Sequence, residues 1–135
     1  MPTKECDYGI RIIRSLANGN SKTVETISRE EVIPHQYAYK ILKKLERADY
    51  VSGIRGRSGG YKLKKPLSDF TIFDIVTTLN ENIFLHGCLR EEYMCPHREV
   101  SNKKCAVHCE FHRIQDVFFA ELQRKTIKEI FETPV

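Results

Sequence analysis

Between Val51 and Leu63 the chain changes character abruptly. Val51, Ile54, Tyr61 and Leu63 favour strands, and Gly56-Arg57-Ser58-Gly59-Gly60 between them is a turn, so the segment is expected to be a β-hairpin with a basic, glycine-rich tip. Everything before it reads as helix. Apolar side chains recur at Ile10, Ile13 and Leu16/Ala17, a helical stripe over about 5–17 that stops at Asn18-Gly19-Asn20. Thr23 is placed to N-cap a short second helix through about Arg29, with Ile27 as its core contact. Val32-Ile33 forms a turn, and Pro34 suits the first position of a third helix running to about Ala48. That third helix puts Tyr37, Ile41, Leu42, Leu45 and Ala48 on one face and Lys40, Lys43, Lys44 and Arg47 on the other.

Three helices followed by such a hairpin are the layout of a winged helix-turn-helix. Beyond it, Thr71 and Asp74 form a capping box for a fourth helix through Asn80. A cysteine-rich stretch follows. Phe111, Ile114, Val117, Phe118 and Leu122 then mark a long amphipathic helix, and Thr126 with Glu129 caps a short last one. The long helix is too apolar to stand alone on a surface, so either a two-fold dimer covers it or it packs back on its own domain, and the dimer is the reading preferred here. The expected fold is mainly α with a small β-hairpin wing. It comprises a winged helix-turn-helix over residues 1–80, a cysteine-rich loop over 81–109, and a dimerisation helix with a C-terminal helix over 110–135.

Charge points to the partner of the first part. Residues 1–65 hold 14 Lys and Arg against seven Asp and Glu, whereas residues 66–135 hold eight against 11. A basic half joined to a mildly acidic one suits a polyanion. In a helix-turn-helix the second helix of the motif presents its first residues to base edges in the major groove. Here these are His35, Gln36, Tyr39 and Lys40, while Lys43, Lys44 and Arg47 further along are suited to phosphates. At the hairpin tip Arg55 and Arg57, with Ser58 beside them, are suited to a narrow minor groove. The plain alternative is a solvated lysine face beside an ordinary hairpin, but the order of the pieces favours double-stranded DNA. With 41% apolar and 30% charged residues the 135-residue chain is expected to be a soluble globular domain. No apolar run reaches the roughly 20 residues of a membrane span, and the N-terminus lacks the features of a signal peptide. A cytoplasmic location is therefore expected, where thiols stay reduced.

Four cysteines, Cys88, Cys95, Cys105 and Cys109, are interleaved with His86, His97, His108 and His112. Thiolates are soft ligands, and such a cluster selects an iron–sulfur centre or zinc, or serves as reactive thiols. No pair has the Cys-x-x-Cys spacing of zinc ribbons, and Cys105-x3-Cys109 fits one helical turn. Neither a nucleophile motif nor a phosphate loop is present, so no enzyme activity is expected.

The string Tyr37-x-x-Lys40-Ile41-Leu42-x-x-Leu45-x-x-Ala48, then Val51, then Arg55-Gly56-x-x-Gly59-Gly60-Tyr61-x-Leu63, resembles the IscR/NsrR/CymR family of bacterial winged-helix regulators, the Rrf2 superfamily. The resemblance covers almost the whole chain. Where the family usually has Gly this chain has Asp49, at a position expected near left-handed geometry, which Asp tolerates. The resemblance implies a transcriptional repressor that binds an operator as a homodimer and senses iron–sulfur status, redox state or nitric oxide through a [2Fe–2S] or [4Fe–4S] cluster. Counted back from the Thr126 cap, the third family cysteine falls on Cys105, which leaves Cys88 as the first and Cys95 as the second. The loops between them are longer than the family's, and Cys109 has no family counterpart. The fourth ligand implied is Asp7 from the partner subunit, or alternatively His108, three residues after Cys105. Some family members carry no cluster and answer to a regulatory protein partner instead. A cluster-free regulator of that kind or one switched by thiol oxidation, and a zinc-stabilised DNA-binding module, are the alternative functions. Cys6 is expected to be a packing residue of the first helix.

Overall fold

The computed structural model describes residues 3–57, 59–80 and 82–135. Among them are seven α-helices and one two-stranded antiparallel sheet: α1 Lys4–Ser15, α2 Val24–Glu31, α3 His35–Arg47, β1 Val51–Ile54, β2 Gly60–Leu63, α4 Ile72–Leu79, α5 Pro96–Ser101, α6 Ala106–Gln123 and α7 Ile127–Glu132. This is the mainly helical winged fold expected.

The caps work as their side chains require. The Thr23 hydroxyl accepts from the Thr26 N–H at 3.2 Å. Thr71 with Asp74, and Thr126 with Glu129, close complete capping boxes at the starts of α4 and α7. Pro34, expected as the first residue of the third helix, instead precedes it as the cap residue, with φ −55° and ψ +134°. A buried core forms where α1, α2, α3 and α4 cross, with Ile12, Ile13, Leu16, Ile27, Ile41, Leu42, Leu45 and Ile75 wholly shielded from solvent.

On α3 the buried stripe is Ala38, Ile41, Leu42 and Leu45. Tyr37, expected on that face, is half exposed and meets the Tyr8 ring edge-on at 6.1 Å. Ala38 opens an i, i+3, i+4, i+7 series that points straight into the core. One residue earlier lies about 100° round the helix, at the rim.

The strands pair from Val51↔Leu63 to Ile54↔Gly60. The hairpin is tied to the start of α2 by two backbone hydrogen bonds, Lys22 N–H to the Tyr61 carbonyl at 2.9 Å and Tyr61 N–H to the Lys22 carbonyl at 2.8 Å. Gly60 makes this docking feasible. Its φ is +148°, and a Cβ there would collide with the Lys22 carbonyl. Asp49 has a φ of +63°, the left-handed geometry expected of it, and its carboxylate takes the Lys64 ammonium at 2.8 Å.

The long apolar helix begins at Ala106, five residues before the first residue of its predicted stripe, because the Cys105 thiol caps it by accepting the His108 N–H at 3.5 Å. Phe119 packs edge-on against Phe73 of α4, with ring centres 5.0 Å apart. Ile114 and Val117 of the same helix stay exposed, so α6 lies against its own domain on one side and leaves apolar side chains uncovered on another. The short α5 within the cysteine segment was not anticipated from the sequence. Its six residues carry no buried side chain, so they have no apolar stripe to reveal them.

Candidate nucleic-acid interface and cysteine cavity

The basic face of α3 is not a row of free cations. Both oxygens of Glu5, on α1, are taken at 2.7 Å by lysines of α3, Oε1 by Lys40 and Oε2 by Lys44. The two ammoniums hold the Glu5 carboxyl below the usual carboxylate range, against a smaller opposing effect of burial. Lys43 lies 3.4 Å from Glu46, with its ammonium over the rings of Tyr39 and Tyr61 at 5.6 and 5.9 Å. His35 meets Glu25 at 3.3 Å. Gln36 and Tyr39 are exposed at the start of the helix, where a groove-reading helix needs them.

Every acidic residue of the first 65 has a basic partner: Glu5, Asp7, Glu25, Glu30, Glu31, Glu46 and Asp49 are all engaged. The surplus positive charge therefore rests on residues outside these pairs. Arg47 at the end of α3, and Arg55, Arg57 and Lys62 of the hairpin, have no ion-pair partner among the described residues, and all four are exposed. Ser58, expected at the tip, lies outside the described residues. A groove of about 470 Å³ runs between α3 and the hairpin, lined by Lys43, Glu46, Ser52, Arg55, Tyr61 and Lys64 among others. Lys4, Arg29 and Lys65 also lack an ion-pair partner among the described residues, so the hairpin carries the largest group of unpaired cations but not all of them.

The cysteine segment closes over a second cavity of about 480 Å³. Cys88 comes from a 3-10 turn over Gly87–Leu89, Cys95 from the cap of α5, and Cys105 from the cap of α6. All three line this cavity, as do His108 and Cys109. Cys109 has a family-independent reason to be there, since residues four apart on a helix share a face, and that spacing was visible in the sequence. The four thiols are free. His86 orders the entrance: its ring stacks on Phe111 at 5.5 Å, and its Nδ1 accepts the Cys88 N–H at 3.2 Å. Gln115, buried on α6, accepts the Leu85 N–H at 2.7 Å and so holds the start of the segment against the long helix. Gln115 is one of several polar residues on α6, so nothing in the sequence marked it out as that strut.

Three or four thiolates fit a soft-metal or iron–sulfur group in their chemistry, and Arg98 and Lys104 on the cavity wall, without ion-pair partners among the described residues, would offset thiolate charge. Among the described residues no three of His, Cys, Asp and Glu stand close enough together to hold a metal ion as they are placed. Asp7 does not line the cavity of its own chain. Its carboxylate takes the Arg11 guanidinium in a fork at 2.6 and 3.2 Å. Cys6, as expected, is buried in the core. No helix among the described residues is long and apolar enough to cross a membrane.

Known proteins resemble this chain in sequence and in overall fold. The chain is 29% identical over 131 residues to protein aau3 of Rhizobium meliloti (strain 1021), which covers 95% of the chain and 82% of that relative. Its fold superposes on the oxidised form of Staphylococcus aureus CymR with a TM-score of 0.77 and 20% identity, over 100% of this chain and 98% of that one. It superposes on T. potens IscR with a TM-score of 0.72 and 17% identity, over 98% and 86%. Residues 2–133 match the Rrf2 family, described as iron-dependent transcriptional regulators. A winged helix-turn-helix with a charged hairpin and a match that spans nearly every residue leave one assignment: the chain belongs to the Rrf2 family of DNA-binding transcriptional regulators and is not an enzyme.

Proposed function

We propose that this regulator is a cytoplasmic, operator-binding repressor that works as a homodimer through α6 and senses through an iron–sulfur cluster, [2Fe–2S] or [4Fe–4S], bound at the cysteine cavity. The observation that carries the reading is that Cys88, Cys95 and Cys105, from three separate elements, line one cavity, with two cations in its wall that have no ion-pair partner among the described residues. Asp7 of the partner subunit would complete the ligand set, or else His108 of the same chain. When bound, the cluster supplies a centre reactive toward oxidants and nitric oxide. The chain's own part is mechanical. Cys105 caps α6 and Gln115 ties Leu85 to it, so a rearranged cysteine segment pulls on the helix proposed to join the subunits. Two recognition helices would then change spacing against half-sites about 34–36 Å apart or a multiple of that. A coupling of about 1–3 kcal/mol is enough for 5- to 150-fold regulation.

Purification under anaerobic, iron-replete conditions tests this. A brown protein with iron and acid-labile sulfide is expected, and Cys105→Ala should remove the colour. A fully coloured variant would exclude Cys105 as a ligand. A colourless protein with stoichiometric zinc would mean a zinc-stabilised module.

The second reading is a cluster-free regulator controlled by thiol oxidation or by a protein partner. It is favoured by four free thiols on one cavity and by the fold shared with a CymR solved in an oxidised form. A colourless, metal-free protein would select it.

The proposed DNA contacts divide by chemistry. Arg55→Ala should weaken binding to the specific site and relax sequence preference there, by about 1–3 kcal/mol if the guanidinium reads a base. Lys43→Ala should weaken binding to all sequences alike and reduce the salt slope by about 1. Competition titrations with specific and random duplexes separate the two. An Arg55 variant with unchanged affinity and preference removes the hairpin from the interface.

A further inference from the structure

Lys40 and Lys44 stand four residues apart on the exposed face of α3, and each gives its ammonium to a different oxygen of the same carboxylate, Glu5, at 2.7 Å. The Glu5 side chain is 22% exposed, while the lysines keep 55% and 34% of their surface in solvent. Such a site, two ammoniums closing on two oxygens of one anion, suits a DNA backbone phosphate equally well. We infer that Lys40 and Lys44 form a preorganised phosphate subsite, and that Glu5 occupies it as an internal substitute for the phosphate.

The inference rests on the DNA-binding reading of α3 and deepens it. DNA engaging these lysines must displace Glu5, which belongs to the same chain and is always at hand. Whatever draws α1 away from α3 would uncover two positive charges on the helix that faces DNA. Glu5 lies two residues before Asp7, on the first turn of α1, so a pull at the candidate partner-donated ligand acts on the element that carries the mask. The other explanation of the same contact is structural, with Glu5 serving only to strap α1 to α3. The two explanations differ in sign. Removing a mask strengthens DNA binding, whereas removing a strap weakens or does not change it.

Glu5→Gln keeps the shape and deletes the charge. Fluorescence anisotropy with a random-sequence duplex, titrated at several KCl concentrations between about 50 and 200 mM, reads both affinity and salt slope. The variant is expected to bind about two- to tenfold more tightly at low salt, the scale of two exposed ion pairs. Its log-affinity should fall more steeply with log-salt, by about 1, as one further phosphate is neutralised. In a Lys40→Ala, Lys44→Ala background the same Glu5 change should have no effect, because the subsite is already gone. Unchanged or weaker binding with an unchanged slope would overturn the mask. A persisting gain in the double-lysine background would overturn it as well, by showing that Glu5 acts through general charge. If the wild-type chain shows no salt-dependent binding to any duplex, the DNA reading of α3 falls first and takes the inference with it.

Discussion

Replacing Gly60 by alanine is expected to detach the hairpin from the helical body while the body stays folded. A Cβ at this position meets the Lys22 carbonyl and comes within 3.0 Å of the Thr23 N–H, both of them backbone and neither free to rotate away. The φ of +148° adds a conformational cost that only glycine escapes. Relief requires breaking the paired Lys22–Tyr61 hydrogen bonds, each worth about 0.5–1.5 kcal/mol net, on top of about 1–3 kcal/mol of backbone strain. Of the residues buried in the core, the hairpin supplies only Val51 and Tyr61, and the rest of that core comes from the helices and the segments that join them. Amide exchange at Lys22 and Tyr61 should accelerate by about 30-fold or more, while the amides of Ile12 and Leu42 keep their protection. Under the proposed DNA contacts, Arg55 and Arg57 lose their fixed position, and specific affinity should fall with the docking. If Gly60→Ala exchanges at the wild-type rate and binds DNA equally well, the docking of the hairpin does not depend on Gly60.

Phe70→Ala is expected to cause the largest loss of global stability, about 3–5 kcal/mol. Phe70 is 1% exposed, and its ring meets Tyr50 edge-on at 4.9 Å. It lies where the chain leaves the hairpin for α4, and its carbonyl accepts the Ile127 N–H at 2.9 Å, so one residue seals the junction between the hairpin end, α4 and α7. The backbone is held on both sides by the capping boxes at Thr71 and Thr126, which leaves the cavity little room to collapse. For a domain of this size the midpoint of thermal unfolding should drop by about 10–20 °C. Chemical denaturation showing a loss under about 1 kcal/mol would mean that the site closes over the missing ring.

Interactions confined to a few neighbouring residues were legible. Thr71 with Asp74 and Thr126 with Glu129 are three apart, and their side chains have little choice once a helix starts beside them. The turn glycines between strand-forming residues announced the hairpin, and Asp49 took up the left-handed geometry assigned to it. Within the candidate site, the same locality let Cys105-x3-Cys109 be read as one helical turn. The roles proposed for Cys88, Cys95, Cys105, Asp7 and His108 came from family resemblance, and no local rule would have chosen among them.

Pairing across distance was not legible. The sequence carries Glu5, Lys40 and Lys44 as one acid and two bases separated by 35 and 39 residues, and it sets no preference for that acid over the six others in the same half. Only the crossing of α1 on α3 selects it, because charge attracts without specifying geometry and the core packing supplies the geometry. The same reason explains Tyr37, whose place at the rim depends on the angle at which α3 meets α1, and Gln115, whose partner Leu85 lies 30 residues away. Every helix but α5, the hairpin and the thiol count were thus written in local periodicity and composition. Which cations stay free to reach a polyanion, and which thiols share one cavity, were decided by the packing of elements remote in the chain.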